Sequence, residues 1–119
     1  MTMPPEAGER GARGAPGSWG VVGPVEALGD GQAHAVYVAG HPLVVVAIGG
    51  RFHAVDGRCP HRNALLTEGR LVRSGIQCPL HGFLYDLRSG ECLWPPGATR
   101  LPTYDTRVDG ALLLVRVGW

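Results

Sequence analysis

The sequence predicts an all-β domain, an antiparallel sandwich or partly open barrel, and three observations carry that prediction. From Ser18 onward the chain breaks into short apolar or alternating runs, each cut by Gly, Pro or Asp. Turn-forming groups fall between the runs: Gly-Asp-Gly at 29–31, Gly-Gly at 49–50, Asp-Gly at 56–57, Ser-Gly at 89–90 and Asp-Gly at 109–110, most of them placed to close hairpins. No window sustains an apolar stripe of 3.6-residue period.

Residues 1–17 are rich in Gly, Pro, Ala and charge and contain no aromatic residue, so they cannot bury enough surface to offset the entropy of ordering. They are expected to form a disordered tail, leaving 18–119 as the single domain. Strands are expected over 19–25, 33–38, 43–48, 51–56, 75–78, 83–86, 91–94, 104–108 and 111–117. A short helical turn fits 63–66.

The length of 119 residues suffices for one domain with one modest core. Eleven arginines, with no lysine, face ten acidic residues, for a formal net charge of +1. No arginine cluster appears along the sequence, so nothing argues for nucleic acid or an anionic membrane as partner. Three cysteines are an odd count in a chain that opens without an apolar signal segment, which argues against a secreted disulfide framework. The longest apolar run, 43–48, falls far short of the roughly 20 residues a membrane span needs. A soluble, cytoplasmic protein with reduced thiols is the expectation.

The chemistry is concentrated in 59–82, CPHRNALLTEGRLVRSGIQCPLHG, which holds one idea twice. Cys59 and His61 flank Pro60; after sixteen intervening residues, Cys78 and His81 flank Pro79 and Leu80. Thiolate and imidazole bind iron, copper and zinc, so two loops that each offer one of both make a four-ligand metal site. A structural zinc site is the plain alternative, since Cys2His2 ligation is common in small domains. Zinc fingers, however, place two Cys on one knuckle and two His on a helix. The alternating split here suits a binuclear centre, with two Cys on one iron and two His on the other.

C-P-H-R, fifteen residues, then C-P-L-H-G resembles the Rieske iron–sulfur proteins, most closely Rieske ferredoxins and the Rieske domains of ring-hydroxylating oxygenases. The likeness runs from about Trp19 to the C-terminus. It implies a Rieske-type 2Fe-2S cluster with Cys59 and Cys78 on the inner iron and His61 and His81 on the outer one. It also implies a β-rich base carrying a small cluster-binding subdomain, with cluster loops over about 57–85. Trp94-Pro95-Pro96-Gly97 is similar to the family's third, covering loop, about 94–98. Respiratory members carry an extra Cys in each loop; Ala64 and Leu80 stand there, so that disulfide clamp is absent. Phe83 replaces their serine donor, while Tyr85 matches the tyrosine that donates to a ligand sulfur. With one donor lost, the potential is expected in the lower part of the Rieske range of about −150 to +300 mV. Asn63 departs from the Gly usual after C-x-H-R.

Two ferric ions, two sulfides and two thiolates sum to zero, so reduction adds one negative charge that burial opposes and N–H groups near 60–64 and 79–83 can offset. Gly82 would let the second loop approach closely. Pro60, Leu80 and Pro95, with Arg62 beside them, offer a small patch for a transient redox partner. Asp86 and Tyr85 are expected to brace the second loop. Cys92 reads as a small buried apolar residue. His34, His41 and His53 stand singly and read as surface or hydrogen-bonded histidines. Trp19, Trp94 and Trp119 are expected to pack.

The resulting reading is a one-electron carrier that passes electrons from a reductase to a terminal oxygenase or similar enzyme. It has no small-molecule substrate of its own and is not an enzyme by itself. Two alternatives stay open: a small subunit of a multi-component oxygenase or nitrite reductase, and a zinc-stabilised interaction module.

Overall fold

The computed structural model describes residues 18–60, 64–80 and 82–117. The expected tail over 1–17, together with Trp119, lies outside the described residues. Among the described residues, eleven strands form three antiparallel sheets. The first sheet orders β1 (Ser18–Pro24), β11 (Leu112–Val117) and β10 (Thr106–Asp109). The second runs β2 (Ala33–Val38), β3 (His41–Ile48), β4 (Arg51–Asp56) and β9 (Thr103–Tyr104). The third runs β5 (Arg70–Val72), β6 (Gly75–Gln77), β7 (Leu84–Asp86) and β8 (Cys92–Trp94).

β3 explains the layering. Residues Pro42 to Ala47 are all buried, because this strand is covered on both faces. Val44 and Val46 pack, with Val55 of β4, against Leu66, Ile76, Tyr85 and Leu87 on the side of the third sheet. Leu43 and Val45 turn the other way, onto Leu113, Val115 and Val117 of β11. Each such side chain contributes about 1.5–3 kcal/mol through burial. The middle sheet therefore joins a two-sheet base to a third sheet, as expected of a base with a small subdomain.

Several turns follow from their residues. Gly49 and Gly50 take φ of 59° and 81° between β3 and β4, the left-handed pair that a tight hairpin needs. The 89–90 and 109–110 turns likewise join β7 to β8 and β10 to β11, whereas Asp56-Gly57 opens the first cluster loop instead of a hairpin. The expected strand over 104–108 is divided at Asp105, where the chain leaves the middle sheet and enters the first. Thr106 Oγ1 fixes that corner by donating to Phe52 O at 3.0 Å. The helical turn expected over 63–66 is a 3-10 turn over Leu66–Glu68. Its Leu66 is fully buried beneath the loops.

Candidate metal centre

Both loops share one backbone closure. Cys59 N–H donates to Ala64 O at 2.7 Å, and Cys78 N–H donates to Phe83 O at 2.7 Å, so each cysteine is tied to the carbonyl five residues on. The duplication seen in the residues is thus also a duplication of fold. Gly57 sits at the root of the first loop, where its N–H donates to Pro42 O and its carbonyl accepts from Leu66 N–H. Gly82 closes the second with φ of 73°. Among the described residues a Cβ there would meet only the Gln77 amide, at 3.4 Å, so the left-handed backbone, more than close approach, is what glycine supplies.

Cys59 and Cys78 are 0% and 2% exposed and are free thiols. They face one another closely enough that the Cys59 side chain perturbs Cys78, whose pKa is raised first by burial and further by Cys59, against the Leu80 N–H. Each sulfur has a donor. Tyr85 Oη lies 3.2 Å from Cys59 Sγ, and Leu80 N–H points at Cys78 Sγ from 3.4 Å. Burial, then the contact with Cys59, pushes the Tyr85 phenol pKa upward, so it stays protonated and donates. Two buried, facing thiols with a donor on each sulfur fit the thiolate half of an iron–sulfur centre. His61, His81, Arg62 and Asn63 lie outside the described residues.

Asp56, which the sequence suggested only as part of a turn, holds the mouth of the first loop. Its Oδ2 accepts from Tyr104 Oη at 3.1 Å and meets His41 Nε2 at 3.0 Å, while Oδ1 accepts from Arg58 N–H at 2.9 Å. The pairing of an acidic residue with the Cys loop three positions on was the available signal. His41 is thus a hydrogen-bonded histidine, as expected. The pKa of His53 is lowered by burial, then by the Arg88 guanidinium, against the opposing pull of Asp86. His34 is half-buried, with Nε2 unpartnered among the described residues. Asp86 serves the β7–β8 turn, accepting from Ser89 Oγ at 2.9 Å and pairing with Arg88, and so braces the second loop only through β7.

Trp94 departs from expectation. It is 56% exposed, with its ring edge-on to Phe83 at 6.4 Å. With Gln77, Gly82 and Leu84 it lines an open cleft of about 560 Å³ beside the second loop. Trp19 packs as expected, under the guanidinium groups of Arg107 and Arg116 at 4.5 and 5.0 Å.

Cys92 is buried in β8, opposite Tyr85, and is 1% exposed. Cys92→Ser is expected to leave iron content, visible spectrum and potential unchanged. It places a hydroxyl in an apolar site at a cost of about 1–2 kcal/mol, read as a melting temperature lower by several degrees. Loss of iron in this variant would show that the ligand set is wrong.

Comparison with known proteins agrees with this geometry. The ferredoxin component of the alkene monooxygenase system of Xanthobacter autotrophicus is 33% identical over 92 residues, covering 76% of this chain and 75% of that relative. The ferredoxin of carbazole 1,9a-dioxygenase from Nocardioides aromaticivorans superposes with a TM-score of 0.75 at 32% identity, over 82% of this chain and 95% of its own. A complex of reduced oxygenase and oxidized ferredoxin in carbazole 1,9a-dioxygenase contains a chain that matches with a TM-score of 0.76 at 29% identity, over 84% of this chain and 93% of that one. The family model of the Rieske [2Fe-2S] domain matches residues 18–105, from the first strand of the base through the whole third sheet and back into the base, and the chain belongs to that family.

Proposed function

We propose that this chain is the ferredoxin component of an oxygenase system, taking one electron at a time from a reductase and delivering it to a terminal oxygenase. The observation that carries this reading is the pair of buried thiols, Cys59 and Cys78, at the roots of two loops with the same closure. Cys59 and Cys78 would hold one iron of the Rieske-type 2Fe-2S cluster, and His61 and His81 the other. Bound there, the cluster supplies one-electron chemistry.

The chain's own residues set the conditions. Tyr85 and the Leu80 N–H donate toward sulfurs that gain negative charge on reduction, which favours the reduced state. Leu66, Ile76 and Leu87 keep water from the thiol side. Leu80 on the second loop is 41% exposed, and Pro60 on the first loop is exposed. The same reading takes 18–119 as one Rieske domain, with cluster loops over about 57–85 and a covering loop over about 94–98. Among the described residues no helix is long and apolar enough to cross a membrane, and a cytoplasmic site of action fits a component that moves between partners.

The test is stopped-flow transfer. Holoprotein reduced with dithionite, freed of excess reductant, is mixed anaerobically with an oxidised Rieske-type terminal oxygenase. Reoxidation of one electron per chain at a rate first order in oxygenase is expected. A loaded, reduced protein that passes no electron would overturn the carrier reading.

A further inference from the structure

The two faces of the third sheet serve the cluster loops differently, because successive residues of a strand point to opposite faces. Ile76, Tyr85 and Cys92 point inward, into the core shared with the middle sheet. Gln77, Leu84 and Trp94, in register across β6, β7 and β8, line the open cleft on the outer face. The inner face reaches a cysteine sulfur, through the Tyr85 phenol at Cys59 Sγ. The outer face reaches the backbone of the second loop: Gln77 Nε2 donates to Gly82 O at 3.2 Å.

That bond falls where the loop needs a restraint. Cys78 is fixed at one end, because its N–H donates to Phe83 O. The other end turns at Gly82, in the left-handed conformation with φ of 73°. Glycine reaches that conformation without steric cost but is not confined to it, since it populates negative φ about as readily. A contact from outside the turn must therefore select its shape, and the carbonyl that Gln77 holds belongs to the glycine itself. Gln77 is anchored for the task, being paired through its backbone to Arg70 of β5 on one side and Leu84 of β7 on the other. The first loop has a brace of a different kind, Asp56 Oδ1 accepting from Arg58 N–H, so the two loops can be released separately.

We propose that Gln77 is a positioning residue for the iron centre: by pinning the Gly82 carbonyl it fixes the turn that directly follows His81, and with it the approach of that histidine to the outer iron. His81 falls in sequence between the two restrained positions, Cys78 and Gly82, so releasing Gln77 frees the histidine side of the loop while the Cys78 closure remains. Supporting contacts of this kind orient metal ligands without touching the metal. The role toward iron rests on the carrier reading above; the brace itself rests on the hydrogen bond alone.

Gln77→Met keeps the length of the side chain and its lack of charge while removing the donor. Hydrogen exchange, followed by mass spectrometry on peptides spanning 76–84 and 57–66, reads the brace whether or not a cluster is bound. Exchange over 76–84 is expected to speed up about fivefold, which is ~1 kcal/mol at about 1.4 kcal/mol per tenfold, while 57–66 is unchanged. In the reduced holoprotein, at unchanged iron and sulfide content, one of the two histidine nitrogen couplings is expected to shift and the other to stay. Gln77→Leu, also uncharged and without a donor, repeats both measurements should Gln77→Met fail to fold. Unchanged exchange over 76–84, equal acceleration in both peptides, or two unshifted couplings in the loaded protein would overturn the proposal. A colourless wild-type protein whose variant still shows acceleration confined to 76–84 would overturn the carrier reading and leave the loop brace standing.

Discussion

Cys78→Ser is expected to yield a protein without its cluster, with iron and acid-labile sulfide reduced at least about tenfold and the visible colour lost. The thiol it replaces is 2% exposed and faces Cys59 within the core shared by the middle and third sheets. A serine hydroxyl is a harder donor that stays protonated near neutral pH, so it cannot replace a soft thiolate on iron. Because metal binding to a folded site is also folding free energy, the melting temperature should fall further than in the Cys92→Ser variant. Metal analysis, the visible spectrum and a thermal melt check this. A Cys78→Ser protein with full iron, sulfide and colour would remove Cys78 from the site.

Tyr85→Phe is expected to keep the cluster and lower its potential by about 50 mV, corresponding to loss of a hydrogen bond about 1 kcal/mol stronger in the reduced state, for a one-electron couple in which a tenfold change is 59 mV. The phenol is fully buried and 3.2 Å from Cys59 Sγ. Phenylalanine preserves the ring in the core and removes only the donor. The shift is downward because the donor would stabilise the ligand thiolate, which carries more negative charge once the cluster's iron is reduced. Spectroelectrochemical titration measures it; an unchanged or raised potential would show that the phenol does not donate to the ligand sulfur.

Much of this was legible in the residues, for identifiable reasons. The unbroken apolar run at 43–48 signals a strand buried on both faces, and β3 is one. The 33–38 and 51–56 strands have the expected bounds, the second because turn residues fence both its ends. The paired Cys/His spacing drew attention to two loops whose cysteines the fold buries in one core, because metal chemistry restricts residue types more tightly than packing does. β5 escaped notice because three residues with arginine on either side of Leu71-Val72 show no pattern; the strand exists because β6 pairs with it. The β2–β3 turn was likewise hidden, since Ala39 adopts φ of 51° beside Gly40 where sequence suggests no turn pair. The break at Asp105 depends on which sheet each half joins, a tertiary property.

The most direct test of the metal centre is electron paramagnetic resonance of the anaerobically purified, dithionite-reduced protein, with the nitrogen couplings of 15N-histidine resolved. The expected result is a rhombic signal from a red-brown protein containing two irons and two sulfides per chain, coupled to two histidine nitrogens, with one coupling lost in His81→Cys. A colourless protein that holds zinc, or a cluster with no histidine coupling, would contradict ligation by Cys59, His61, Cys78 and His81.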